Sequence, residues 1–589
     1  MIAIVTDRPN VGKEIARIVG AHKFEKGYMT GNGYMVTWTF GNMLSLAMPK
    51  DYGNAKLERK DFPLVPGDFR LMVKHVRTDD GWVPDINAVM QLRTVEKVLA
   101  GCSTIIAATE ASREGEMTFR YLYGYLGCKQ PVLRLWISSL TDEAVRKGMA
   151  NLLPAGMFDR MFQASDSRNK ADWILGINAS YAMCKATGLS NNSLGRVQTP
   201  VLAAISRRYR ERENHISSDS WPIYISLQKD GILFKMRRTQ DLPDKESATM
   251  FFQDCKLSHQ AQITGISHSV KEILPPDLLD LTQLQKEANI RYGYTASEVY
   301  DIAQSLYEKK LISYPRTSSR YLTEDVFDSL PPIMARLLSW ELFPAAKGTG
   351  GIDISNLSRH VISAEKANVH HAIIITGIRP GNLSEKEMQV YRLVAGRMLE
   401  TFMAPCRIET TNVEAVCAAQ HFKAEQTRII EAGWHDVFMR SDMVPKSGYS
   451  VNELPEVEKG DNLNVCGCNM VHKKELPVDP FTDAELVEYM ELNGLGTVSS
   501  RTNIIRTLVN RKYIRYSGKY IVPTPKGMFT YETIRGKKIA DTSLTADWEK
   551  QLTGLESGMI TGQDFLNRIR TLAKEMTDDI FNTYSTKEE

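Results

Sequence analysis

The stretch IAIVTDRPNVGKEIARIVGA, Ile2 to Ala21, decides the first layer of the fold. IAIVT is a short buried-strand pattern, an acid and a proline follow it, and NVGKEIARIVGA reads as a helix. The same alternation continues. YMVTWTF is a strand, INAVMQLRTVEKVLAG a helix, STIIAATE a strand and GEMTFRYLYGYLG a helix. Strand–helix alternation of this kind predicts an α/β layer with a parallel sheet over roughly the first 150 residues. Open α/β sheets bind ligands at the carboxyl ends of their strands. Acids stand at two such ends: Asp7, and Glu110, Glu114 and Glu116 of TEASREGE. Grouped carboxylates need a counter-charge, and Mg²⁺ is the usual one; the alternative is solvated acids favoured by a helix N-terminus. NVGKE is not a phosphate-binding P-loop, because no glycine precedes Gly12 by five residues and no Ser or Thr follows Lys13, so ATP binding is not expected.

The chain of 589 residues is too long for one core and should divide into roughly three to five domains. Hydrophobic content of 43% and charged content of 24% are those of an ordinary soluble protein. No apolar run approaches the ~20 residues that span a bilayer, and the N-terminus lacks the basic front of a signal peptide, so a cytoplasmic location is expected. The eight cysteines form no CxxC pair, which argues against zinc ribbons and fits a reduced compartment. With a net charge of +3, any contact with nucleic acid must come from local patches.

Further along, residues 142–213 read as largely helical, 221–270 and 408–471 as strand-rich, and 278–405 as helical between those two β-rich blocks. That order suggests one domain inserted within another. The tail places a helix and turn before SRTNIIRTLVNRK and two short strands, YIRY and KYIVP. This is a winged-helix pattern with Arg501, Arg506, Arg511 and Lys512 along or at the end of its second helix; a solvated basic face is the plainer alternative. Within the central helical block stands KLISYPRTSSRYL, Lys310 to Leu322, where Tyr314 precedes Pro315, Arg316 and Arg320. The proline disfavours α geometry at Tyr314 and holds it out of a helix.

Taken together and in order, these segments resemble the type IA DNA topoisomerases, most closely their topoisomerase III branch. TDRPNVGKEIA, VTWTFGNMLSLAMPKDY and LRLWISSLT are similar to the family's Toprim domain; KADWILGINASYAM and SLGRVQTPVLAAI to its single-strand-binding domain; KKLISYPRTSSRYL, HHAIIIT, NGLGTVSSRTNIIRTL and LTADWEKQL to the segments that follow. The resemblance implies a multidomain fold around a central hole: a Toprim domain at 1–152, a helical single-strand DNA-binding domain at 153–217 and 476–589, a β-rich hinge at 218–277 and 405–475, and a helical domain at 278–404 carrying the nucleophile. It further implies ATP-independent cleavage through a 5′-phosphotyrosyl bond to Tyr314, strand passage and resealing, with relaxation of negative supercoils and decatenation. Arg316 corresponds to an arginine that stabilises the attacked phosphate, and His370 to a histidine beside it. Asp7 and Arg8 stand at the first Toprim motif. Arg168, Arg196 and Gln198, with Arg501 and Arg506 of the winged helix, are the expected DNA contacts. The implied partners are single-stranded and negatively supercoiled or gapped DNA, with a helicase or single-strand-binding protein as a protein partner; a monomer away from membranes, associated with a bacterial nucleoid or plasmid, is expected.

The acids depart from the family pattern. Asp7 replaces the usual Glu and Arg8 the usual Lys. The Asp-x-Asp-x-Glu motif reads Glu110-Ala111-Ser112-Arg113-Glu114, so the middle carboxylate is a serine; Asn42 and Ser318 are further departures. Glu110 and Glu114, with Asp7, remain as the expected Mg²⁺ ligands. Asp7 is one methylene shorter and Glu110 one longer than usual, each about 1.5 Å of reach, so the second change offsets the first if both face one site. An active enzyme with altered metal dependence is expected; the alternative is a catalytically impaired single-strand DNA-binding relative. A Toprim nuclease or primase is disfavoured because such proteins lack the Tyr314 segment.

Overall fold

The structure, a computed structural model, describes residues 1–53, 57–78, 81–137, 140, 142–189, 192–340, 342–343, 352–367, 370–438 and 446–585. Ser138, Ser139 and Thr141 of LRLWISSLT lie outside them. The N-terminal sheet runs in the order Leu153–Pro154, Val132–Arg134, Thr104–Ala107, Ile2–Thr6, Tyr34–Trp38, Tyr28–Gly31, Lys23–Glu25. Its middle four strands are parallel and the remaining neighbours antiparallel. The first strand explains this arrangement. Ala3 and Val5 enter the core on one face and Ile4 the core on the other, all fully buried. The apolar run Ile2–Val5 suits a strand covered on both sides. Helix Pro9–Val19 then begins with proline in its first turn and ends at Gly20, whose φ of 82° an L side chain would resist.

The two strand-rich blocks close a single six-stranded barrel in the order Ile223–Lys229, Ile232–Arg238, Gln420–Glu431, Cys406–Cys417, Gln260–Ile273, Asn462–Met470. Gln260–Ile273 and Cys406–Cys417 pair along their length, with Ile273 opposite Cys406. Residues Ile225, Leu227, Phe234, Met236, Val413 and Phe422 fill the inside. Between these two paired strands lies the helical block with helices Leu281–Tyr292, Ala296–Glu308 and Glu385–Phe402, whose core from Leu278 to Met403 is joined by Cys406, Ile408, Trp434 and Val437 beyond it.

In the tail, helix Val498–Asn510 precedes the hairpin of Ile514–Ser517 and Tyr520–Pro523. Its two-residue loop opens with Gly518 at φ 60°, the glycine such a tight turn favours. Long helices Asp159–Thr187 and Gly562–Ser585 pack on one another around Trp548 and Phe565. Among the described residues no helix is long and apolar enough to cross a membrane.

Candidate active site at the junction of sheet and helical block

Tyr314 sits on an irregular segment fixed by its neighbours rather than by a helix. Helix Ala296–Glu308 ends before it, and Lys310 takes a left-handed φ of 59°. The segment is then zipped to the HHAIIIT stretch. Ser313 N donates to Ile374 O at 2.8 Å, Ile374 N to Ser313 Oγ at 3.0 Å, Thr376 N to Leu311 O at 3.1 Å and Thr317 Oγ1 to His370 O at 2.9 Å. These bonds bring Tyr314 and His370 together, their rings 4.4 Å apart between centroids. Tyr307 packs edge-on against Tyr314 at 5.3 Å.

The acids of the N-terminal sheet meet this pair. The Arg8 guanidinium lies 5.1 Å from the Tyr314 ring centroid. Asp7 Oδ2 is 3.4 Å from Arg8 Nε, and Glu110 Oε1 is 3.2 Å from His370 Nε2. Asp7 and Glu110 are close enough to repel. Burial raises the Asp7 carboxyl above its ordinary value despite the adjacent Arg8. Burial also works to raise Glu110, but the hydrogen bond and charge of His370, with Arg8 and Arg316, together hold it below the usual carboxylate range. Burial pushes the Tyr314 phenol up, against the pull of Arg8 and Arg316. Arg8 Nη1 and Arg316 Nε are buried donors with no acceptor among the described residues. Buried donors are nearly always paired, and two on guanidinium groups beside one tyrosine suit an anion such as phosphate.

The acidic loop divides. Ser112 is the N-cap of helix Arg113–Tyr125, its Oγ accepting from Gly115 N at 3.1 Å. Gly115 is required there, since a Cβ would come within 2.1 Å of Glu110 O. Glu114 turns outward, its side chain 51% exposed, and pairs with Arg168 at 3.3 Å. Glu116 is buried against Arg134 at 3.1 Å and Arg120 at 2.8 Å. Arg134 was not legible as a site residue, yet it is the keystone of this loop. Fully buried, it donates to Ala107 O and Thr109 O at 2.8 Å each and to Glu110 O at 2.7 Å, which fixes the backbone that aims Glu110. Of the three expected metal ligands, the structure thus gathers Asp7 and Glu110 and not Glu114. Among the described residues no three His, Cys, Asp or Glu side chains are placed to hold a metal ion. The oxygen pair of Asp7 and Glu110 still fits Mg²⁺, which takes one or two carboxylates and completes its shell with water and phosphate.

The five expected DNA contacts all have protein partners. Arg168 reaches Glu114, Arg196 Nε donates to Asp172 Oδ1 at 2.8 Å and its guanidinium lies 4.8 Å from the Trp548 ring centroid. Gln198 Nε2 donates to Ser193 Oγ at 2.8 Å and its Oε1 accepts from Arg511 at 3.1 Å. Arg501 is buried and donates to Thr282 Oγ1 at 3.0 Å, and Arg506 pairs with Asp301 and Ser297. Arg501 and Arg506 therefore join the winged helix to the helical block. Arg196 is also nearly closed off, its side chain 2% exposed.

A tyrosine and two arginines here face acids at the strand ends of an α/β sheet, and the fold around them is that of a type IA topoisomerase. The chain is similar over 98% of its length, and over 90% of the other chain, to the full-length topoisomerase I of Thermotoga maritima, with a TM-score of 0.71 and 22% identity. Residues 157–567 match the family described as DNA topoisomerase. The DNA topoisomerase 3 proteins of Bacillus licheniformis and Shouchella clausii are 30% and 31% identical, each over 98% of this chain and 81% of the relative. That of Bacillus subtilis is 30% identical over 99% of this chain and 82% of the relative. The chain belongs to the DNA topoisomerase family, in its topoisomerase III branch.

Proposed function

We propose that the protein cuts one DNA strand by attack of Tyr314 Oη on a backbone phosphorus, passes a second strand through the break and reseals it without ATP. The observation that supports this is the half-buried cluster of Tyr314 with two guanidinium groups that carry unpaired donors, directly facing Asp7 and Glu110. In the forward step the Tyr314 Oη–P bond forms and the P–O3′ bond breaks. The phenol passes its proton to Asp7, whose carboxyl burial makes more basic, and Asp7 passes it to the departing 3′ oxygen, so the step ends with Asp7 ionised as it began. Arg8 and Arg316 offset the charge that builds on the phosphate where water is scarce. His370 holds Glu110 on one side and Tyr314 on the other. Asp7 and Glu110 are the residues that would hold Mg²⁺, and the ion would supply charge compensation as the phosphate is handled. Resealing reverses these bond changes, the ester having conserved their energy.

We assign the chain to four parts as the resemblance implies, 1–152, 153–217 with 476–589, 218–277 with 405–475, and 278–404. Its substrates are then single-stranded segments in negatively supercoiled or gapped DNA, and it acts as a monomer in the cytoplasm on nucleoid or plasmid DNA, with a helicase or single-strand-binding protein as partner. The outward turn of Glu114 and the capping role of Ser112 favour a second reading, a relative that cleaves but turns over poorly. Strand passage on supercoiled and on gapped, catenated plasmid across a Mg²⁺ titration, with Tyr314→Phe as control, decides between them. Turnover that needs Tyr314 supports the enzyme, a Tyr314 adduct without turnover supports the second reading, and neither signal at any Mg²⁺ concentration points to the catalytically impaired single-strand DNA-binding relative.

A further inference from the structure

Arg316 can serve a phosphate only if its guanidinium is held in one place. It forms no ion pair with a carboxylate that would do so among the described residues. Instead Arg316 Nη2 donates to Gln304 Oε1 at 3.1 Å, and its Cζ lies 4.7 Å from the Tyr300 ring centroid. Tyr300 and Gln304 are four residues apart on helix Ala296–Glu308 and so share one strip of its surface. The same Tyr300 ring lies 5.9 Å from the Cζ of Arg506. Arg506 comes from helix Val498–Asn510 of the tail, and it also pairs with Asp301 and donates to Ser297 O at 3.3 Å. Two cations on one ring would oppose each other, but Asp301 balances Arg506. Tyr300 is only 8% exposed, so its ring is confined between these groups.

We propose that Tyr300 and Gln304 are positioning residues for Arg316, and that Arg506 makes this positioning depend on contact between the winged helix and the helical block. The inference rests on the proposed cleavage by Tyr314 and deepens it. With the two helices together, Arg506 fixes the Tyr300 ring, and the ring with Gln304 fixes Arg316 beside Tyr314. When the helices part to let a strand through, Arg506 leaves and Arg316 loses part of its support. Cleavage and resealing are then fast only in the closed protein, which keeps a passing strand from meeting a competent site. The plainer account is that Tyr300 is a core aromatic with no bearing on rate.

The test is single-turnover formation of the covalent adduct on a labelled single-stranded oligonucleotide, with oligonucleotide affinity and melting temperature measured on the same full-length variants. Tyr300→Leu should slow adduct formation about tenfold while affinity stays within about twofold, and Tyr300→Phe, which keeps the ring, should restore the rate. Arg506→Ala should slow the step severalfold alone and add nothing to Tyr300→Leu. A wild-type rate for Tyr300→Leu, an equal defect in Tyr300→Phe, or fully additive effects with Arg506→Ala would each overturn the inference. Should Tyr300→Leu fail to fold, Gln304→Ala carries the test: about tenfold slower cleavage at unchanged affinity supports it, and a wild-type rate overturns it. Absence of any adduct from the unaltered protein would instead bring down the cleavage reading itself.

Discussion

The helical block presents two unlike faces to the rest of the molecule. The face toward the N-terminal sheet is joined by a few charged contacts: Arg8 with Tyr314, His370 with Glu110, and Lys310 with Glu14 at 3.9 Å. The face toward the winged helix is a continuous buried seam. Ala296 N donates to Asp483 Oδ1 at 3.0 Å, Gln285 Nε2 to Thr502 Oγ1 at 2.9 Å, and Arg501 to Thr282, while Ala296 itself joins the core of Phe481, Leu486 and Ile505. The first face has chemistry and little cohesion; the second has cohesion and only an indirect line to the chemistry. An enzyme that opens at its cleavage site parts the first face readily, while the second yields at its exposed rim, where Arg506 pairs with the largely exposed Asp301.

If the comparison is right, substitutions on the first face should cost rate and spare stability, and those on the second the reverse. Tyr314→Phe should give the largest effect, a loss of adduct and turnover of at least about 10³-fold with an unchanged melting temperature; residual turnover near wild type would mean another nucleophile. Arg8→Ala should lower the cleavage rate about 10² to 10³-fold, again with little thermal effect. A large drop in melting temperature instead would show that this face is structural. On the other face Arg501→Ala should cost about 2–3 kcal/mol in chemical denaturation, and an unchanged midpoint would show the seam to be looser than its contacts imply.

Asp483 supplies a pH test of the same seam. Burial lifts its carboxyl from 3.8 to about 6 despite hydrogen bonds from Ala296 and Tyr516. A carboxyl raised on folding contributes stability that is complete below its unfolded value and lost as pH climbs through the folded one. Between pH 5 and 7.5 the protein should therefore lose about 1 kcal/mol that Asp483→Asn does not lose. Parallel pH profiles for the two proteins would remove Asp483 from the account. The smallest effect is expected at the acidic loop. Ser112→Ala should cost about 1 kcal/mol of stability through the lost cap, and Ser112→Asp very little because aspartate caps equally well.

The contrast also explains what could be read before the structure. Strand and helix spacing over the first 150 residues was legible because each run fits one period, and the Tyr314, Arg316 and His370 set was legible through ordered resemblance. The order of the segments placed the two β-rich blocks in one domain, but the pairing that closes them into a barrel was not legible, since strand pairing over more than 130 residues leaves no local trace; Gln260–Ile273 gives no sign that Cys406–Cys417 is its neighbour. Arginine spacing likewise marks a helix face without naming its partner. Arg501 and Arg506 read as DNA contacts and lie instead in a seam with residues some 200 positions away. Ser112 looked like a lost carboxylate, while its position just before a helical run was itself a capping signal.

The pairing of Ile273 with Cys406 has an evolutionary consequence. The chain leaves the barrel for the helical block and re-enters it at two points that lie side by side in one sheet. A segment of well over a hundred residues is thus grafted where a hairpin turn would suffice. Such a cassette can be lengthened, trimmed or exchanged between relatives without disturbing the strands that flank it. A gene in which residues 274–405 are replaced by a short turn should still encode a closed barrel, with the nucleophile removed in a single excision.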